Sequence, residues 1–384
     1  MQYSFSLRRC LAALFLFACA ACSQAPQPVN FVAEGRPEKL SDWHVLQVDG
    51  GRLKLNEGVQ PYALNTALFS DYAHKLRTVW MPKGQAANYD AEKVFDFPVG
   101  AIISKTFFYP KAQGAALLQN TDTGAEFKDG ALDLQSVRLI ETRLLVKRAD
   151  GWAALAYVWN EAQTEATLAR TGDQMPLELQ DEAGKTQRFT YVVPNENQCA
   201  SCHMTQMKSR AVQPIGPKAR HLNRAFTFAN GVSENQLAHL VKVGYLQGLP
   251  AADVPKNANA FDASQPLAAR ARAYLDVNCS HCHSGSGPAN TTALNLEPFN
   301  APDHRLGLCK PPVAAGKGTG SRLFGVVPGQ PDASIMLYRL ASTEGGEMMP
   351  ELGRSTVHRE GLALIRQWVT ALEGSCNPAT PQNQ

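Results

Sequence analysis

The sequence predicts an α+β multidomain protein, with a β-sandwich-like N-terminal domain followed by a mainly α C-terminal region. Three observations predict it. Val94 to Pro110 is dense in β-formers, among them Phe95, Phe97, Ile102, Ile103, Phe107, Phe108 and Tyr109. Glu141 to Arg148 and Trp152 to Trp159 flank Ala149-Asp150-Gly151, a hairpin signal with Asp-Gly at the turn. Beyond residue 200, apolar residues recur at helical spacing instead.

The elements follow in chain order. Arg8 and Arg9 precede a short apolar run from Leu11 to Ala18, too short for a stable membrane anchor. Cys19-Ala20-Ala21-Cys22 then resembles a lipoprotein signal site, with residues 1–21 as signal peptide and Cys22 as the lipidated residue. The competing reading is ordinary secretory cleavage near Ala20 or Ala25. Residues 22–40, with Pro26, Pro28 and Pro37, read as a tether. Residues 41–195 form the β-rich domain, ending in a strand over Gln187 to Val193. Ser233 and Gln236 match a capping box before Leu237, Leu240 and Val241, and Gly244 stands where that helix would end. Ser264 and Pro266 open a second helix, with Leu267, Ala271, Tyr274 and Leu275 on one face. A terminal helix over 357–373 carries Leu362, Ile365, Trp368, Val369 and Leu372, with Gly374 as its cap. Residues 284–334, rich in Gly, Pro and Asn, read as loop.

Two pentapeptides carry the chemistry: Cys199-Ala200-Ser201-Cys202-His203 and Cys279-Ser280-His281-Cys282-His283. Cys-x-x-Cys-His is the pattern of c-type haem attachment. Two thiols form thioethers with the two vinyl groups of one porphyrin, and the adjacent histidine reaches the iron. The spacing therefore predicts two covalently bound haem c groups, with His203 and His283 as proximal ligands. A structural zinc site or a dithiol pair is the bland alternative. The pairs lie about eighty residues apart, and neither alternative explains a histidine after both. The first haem region is assigned to 196–262 and the second haem domain to 263–384.

Cysteine arithmetic extends the reading. Of nine cysteines, Cys10 and Cys19 leave with the signal, Cys22 takes lipid and four bind haem. Cys309 and Cys376 remain, a disulfide pair in an oxidising compartment. The bridge would contribute roughly 4 kcal/mol in the chain-entropy model. The formal charge is +3, and removing Arg8 and Arg9 leaves +1, which gives no reason to expect nucleic-acid binding.

The order helix, pentapeptide, long loop, Met349-Pro350, terminal helix is similar to a class I cytochrome c. That resemblance implies a cytochrome c-like second haem domain. It makes Met349 the distal ligand of the second iron, with Met348 and Met336 as alternatives, and packs Trp368 on the haem or on the early helix. Ile215-Gly216-Pro217 resembles the Gly-Pro of the same cytochromes. The resemblance implies that the Pro217 carbonyl accepts a hydrogen bond from His203. The distal ligand of the first iron stays open between His221, Met204 and Met207, with Met81 or Met175 reaching across an interface, or no ligand at all. His239 is less suited, because it points away from the apolar stripe of its helix.

Several longer strings are more specific. They are Phe69-Ser70-Asp71-Tyr72-Ala73-His74-Lys75-Leu76-Arg77, Phe97-Pro98-Val99-Gly100, Glu141-Thr142-Arg143-Leu144-Leu145-Val146, Asn197-Gln198-Cys199, Arg270-Ala271-Arg272-Ala273-Tyr274-Leu275 and Pro328-Gly329-Gln330-Pro331. Across nearly all of its mature length the chain resembles a largely uncharacterised family of exported dihaem c-type cytochromes with a β-rich N-terminal region. The family is often encoded beside a parallel β-helix protein, which the resemblance implies as a partner. The leading expectation is a periplasmic electron carrier serving redox partner proteins, held at the outer membrane by its N-terminal lipid only. One alternative is a dihaem oxidoreductase such as a peroxidase, with an open first haem. Another is a polysaccharide- or partner-binding module with Trp43, Trp80, Trp152 and Trp159 on its surface.

Overall fold

The computed structural model describes residues 27–112 and 116–376; the expected signal peptide over 1–21 and the expected lipidation site Cys22 lie outside the described residues. Among the described residues the fold mixes antiparallel sheets with six α-helices. No helix among the described residues is long and apolar enough to cross a membrane.

A six-stranded sheet forms the centre, in the spatial order 166–168, 151–159, 137–148, 102–110, 74–80, 60–62. The expected hairpin is its spine: Arg148 pairs Gly151, and Glu141 pairs Val158. Gly151 takes φ +137°, which its lack of a Cβ permits. One face, with Leu76, Ile102, Phe108, Leu144 and Val146, shares a core with Leu46, Leu53 and Leu132 of a four-stranded sheet. The opposite face packs in part on Leu177, Leu179 and Tyr191 of a three-stranded sheet.

Much of the expected tether belongs to the body. Val29, Phe31 and Val32 pack against the central core, and the Asn30 N–H donates to the Trp43 carbonyl at 2.9 Å. Of the four tryptophans expected on a binding surface, Trp43 and Trp159 are buried and Trp80 and Trp152 half-buried. Trp43 is fully buried and its indole donates to the Tyr157 hydroxyl at 2.7 Å, while Trp159 donates to Thr142 at 3.0 Å. Trp80 packs on the central core, and Trp152 packs edge-on against Phe97. Each ring covers apolar area that a surface position would leave wet.

The helices are α1 (Glu196–His203), α2 (Ala219–Leu222), α3 (Gln236–Lys242), α4 (Leu267–Cys279), α5 (Ile335–Ala341) and α6 (Arg359–Thr370). Long loops separate them, and Leu246–Gln247 adds a strand to Ala87–Asn88. The segment after residue 195 is therefore less helical than expected. Its first part also shares a core with the sheet, since Ala219, Leu222, Leu237 and Leu240 pack with Val79, Phe95, Phe97 and Ile103.

Local signals explain the boundaries. α1 carries a reciprocal capping box between Asn195 and Gln198, so Cys199 sits on a helix rather than directly on the strand before it. The cap of α3 is Asn235, whose side chain accepts from the Leu237 and Ala238 N–H groups; Ser233 is taken by a short strand instead. α4 and α6 cross at close range. A Cβ at Gly361 would lie 2.3 Å from the Tyr274 hydroxyl oxygen. Trp368 packs with Ala271, Tyr274 and Leu275 of α4. Cys309 and Cys376 form a disulfide over a sequence separation of 67.

Candidate functional site

The two pentapeptides meet. The Cys282 Sγ lies 3.8 Å from the Ser201 carbonyl. The Met207 N–H donates to the Ser286 carbonyl at 3.0 Å, and the Ser286 hydroxyl donates to the Thr205 carbonyl at 3.2 Å. Segments eighty residues apart in sequence thus form one contact. Among the described residues the four pentapeptide cysteines carry no disulfide. They do not gather as metal ligands either: among the described residues only His74, Asp122 and Glu126 bring three such donors within 4.8 Å of one another. A tetrathiolate zinc site shared by both motifs has no geometry here.

Beside this contact lies a cavity of about 180 Å³. Cys199, Cys202 and His203 form one wall. The central sheet forms another, and pairing explains its chemistry. Arg77 stands opposite Lys105, and Lys105 opposite Arg143, so three cations form one row on the cavity face. Like charges directly opposite one another destabilise a sheet. Among the described residues only Arg143 of the three has a strong local partner, donating to Glu141 at 2.8 Å. Glu141 is fully buried and also accepts from Tyr191 at 2.7 Å. Arg77 is 6% exposed and its Nη2 is buried without a hydrogen-bond partner. Burial, then the neighbouring Arg143 and Arg77, pull the Lys105 ammonium down to about 7. Phe107 lies beneath Lys75, Lys105 and Arg143, at 4.4–5.5 Å from their charged groups. The next row, Ile103, Leu145 and Ala154, is apolar.

The third wall comes from the end of α4. Asp276 is 1% exposed and accepts from both sides of the Arg220 guanidinium, at 2.7 and 2.9 Å. It also meets His221 Nε2 at 2.8 Å, Asn257 at 2.6 Å and the Ser280 hydroxyl at 2.8 Å. Burial opposes its charge, but the hydrogen bonds and charges of Arg220 and His221 hold the carboxyl well below its usual range. The network locks α2, ahead of the second pentapeptide by half a hundred residues, onto the turn that carries Cys279. Sequence reading missed Asp276, Arg220 and the cation row.

The other expected residues fall as follows. His203 Nδ1 lies 2.8 Å from the Gln213 carbonyl, while the Gln213 N–H donates to the His203 carbonyl at 2.7 Å. Gln213, not Pro217, therefore orients the ring. The chain doubles back at 213, and the Pro217 carbonyl is used by the Phe95 N–H at 3.4 Å; Pro217 still lines the cavity. His221 lines it too, with its Nε2 committed to Asp276. His239 is held by Glu234 and Gln60 and stacked on Phe228. Met81 is buried in core, Met175 packs on a separate cluster, and Met207 is exposed.

Met349 borders the smaller pocket, about 10 Å³, with Phe69, Tyr274, Asn278, Arg354 and His358. His283 is not among its walls; its Nδ1 lies 3.3 Å from the Thr292 hydroxyl. Pro350 borders both cavities, so the loop after Met349 separates them. Burial is the leading cause that lowers both His203 and His283 to about 4, which leaves the rings neutral, the form that ligates metals.

The string from Phe69 to Arg77 joins all of this. The Phe69 N–H donates to Asn278 at 2.9 Å and its ring stacks on His358 at 4.2 Å. Asp71 accepts from the Ser355 and Thr356 N–H groups at 2.7 Å, and Tyr72 donates to Glu360 at 2.9 Å. Arg77 ends the string in the cavity. No family model, no curated protein and no solved structure matches the chain.

Proposed function

We propose that the chain is an exported dihaem c-type cytochrome that passes electrons between a donor and an acceptor. Haem c is attached at Cys199 and Cys202 and at Cys279 and Cys282, with His203 and His283 as proximal ligands. The observation that carries this is the contact between the two pentapeptides, which makes any groups attached to them neighbours.

The residues fit the group. The thiols are unpaired and not gathered around a metal, the imidazoles are neutral, and the sheet offers an apolar row beside a cation row. Arg77, Lys105 and Arg143 lack enough anions of their own, and two porphyrin carboxylates would supply the missing charge. When bound, haem supplies one-electron exchange at its iron. The chain's own work is to orient His203 through Gln213, exclude water with Ile103 and Leu145, and fix the two attachment turns through Asp276.

A class I cytochrome c-like second site is supported by the close α4–α6 crossing at Gly361 and by the placement of Met349 before α6. The β-sandwich-like reading is supported by the core that the six- and four-stranded sheets share. Lipid attachment at Cys22, a periplasmic location and redox partner proteins, including a parallel β-helix protein, complete the proposal.

Single-site variants test it. Cys199→Ala and Cys279→Ala are each expected to lose one covalent haem by mass and by pyridine haemochrome. Retention of two haems by either variant contradicts the assignment. Met349→Ala is expected to abolish a far-red methionine-to-iron band in the oxidised protein and to lower one haem potential. An unchanged band moves the ligand to another residue.

A further inference from the structure

We propose that His281, inside the second pentapeptide, is the sixth ligand of the iron attached at the first. The inference rests on the dihaem reading and deepens it: each attachment turn would serve both groups.

Geometry carries the argument. The Cys279 carbonyl accepts from the Cys282 and His283 N–H groups, at 3.1 and 2.9 Å, so the pentapeptide turns as a helix does. At about 100° per residue, Cys282 and His283 return to the side of Cys279, while His281 points about 200° away. His281 therefore faces away from the group its own pentapeptide holds. It lines the cavity that Cys199, Cys202 and His203 border.

Of the histidines on that cavity, His203 belongs to the first pentapeptide and His221 gives Nε2 to Asp276. Among the described residues no side-chain hydrogen bond holds His281, although a half-buried imidazole ordinarily finds a partner. Its neighbour Ser280 is the opposite case, 2% exposed with its hydroxyl on Asp276. The Asp276 network thus anchors the turn and leaves the next side chain free in the cavity. Met207 is exposed, and His239 is fully engaged elsewhere. Lys105 and Lys218 also bring amines without a side-chain hydrogen bond to this cavity, Lys105 as part of the cation row, with Arg77, that needs anions.

The test uses the full exported protein with haem attached. Haem content by mass and pyridine haemochrome comes first; fewer than two haems in the unmodified protein defeats the dihaem reading itself. Given two haems, the unmodified protein should show no high-spin ferric signal. His281→Ala should retain both haems and show a high-spin signal from one of them. Its reduced form should bind carbon monoxide rapidly at one haem per chain. Added imidazole should restore the low-spin spectrum, and His281→Met should remain low-spin with a raised potential. Two low-spin haems in His281→Ala, or a high-spin haem already present in the unmodified protein, overturns the proposal. So does the same opening produced by His221→Ala or Lys105→Ala instead.

Discussion

Asp276→Asn is expected to lower the unfolding free energy by about 3–5 kcal/mol, the usual cost of breaking a buried ion pair from one side. The loss should be large because Arg220 is itself 1% exposed and would keep its charge with no carboxylate beside it. Among the described residues its guanidinium otherwise meets the Glu92 carbonyl and the face of Phe299. His221, Asn257 and Ser280 would lose a shared acceptor at the same time. Denaturant titration measures the effect. A change below about 1 kcal/mol would place the pair in the solvated class. Pairing Asp276→Leu with Arg220→Met should recover much of the loss, because the charges leave together. The pH dependence has a definite sign. The folded carboxyl titrates well below its unfolded value, so its contribution is complete above about pH 4. That contribution fades as pH falls towards the folded value.

Replacing Cys309 and Cys376 by serine is expected to cost about 4 kcal/mol, through the freedom an open loop of this length regains on unfolding. The native side already holds the segment by other means. The Cys309 N–H donates to the Val326 carbonyl at 2.9 Å, and α5 and α6 stand between the two cysteines. The folded structure should therefore survive, and the midpoint of unfolding should move alone. A cost below about 1 kcal/mol, with an unchanged denaturant slope, would mean that the unfolded chain keeps this region together without the bridge.

Local chemistry made part of this protein legible. The hairpin at 148–151 follows from Asp150-Gly151, and α4 and α6 follow from apolar spacing. The disulfide follows from counting thiols. Elements decided by distant partners were not legible. Arg77, Lys105 and Arg143 look like ordinary exposed charges on alternating strands, and only strand register sets them side by side. Asp276 reads as the polar face of an amphipathic helix until Arg220 arrives from another segment. Ser233 fitted a capping pattern, but Asn235 stood closer and a strand claimed the serine. The proline expected to orient His203 yielded to Gln213, because the loop folds back sooner than the resembling cytochromes suggest. His281 occupies a variable position of its pentapeptide, which the spacing assigns no role. Its direction is visible only once both pentapeptides share one contact.

The most direct test of the account is the haem stoichiometry of the protein made in cells that mature c-type cytochromes, by intact mass and pyridine haemochrome, with thiol alkylation of the same sample. The account predicts two haem c per chain and no alkylation at Cys199, Cys202, Cys279 or Cys282. A protein from cells that mature c-type cytochromes, folded yet carrying four alkylatable thiols and no haem, would contradict it.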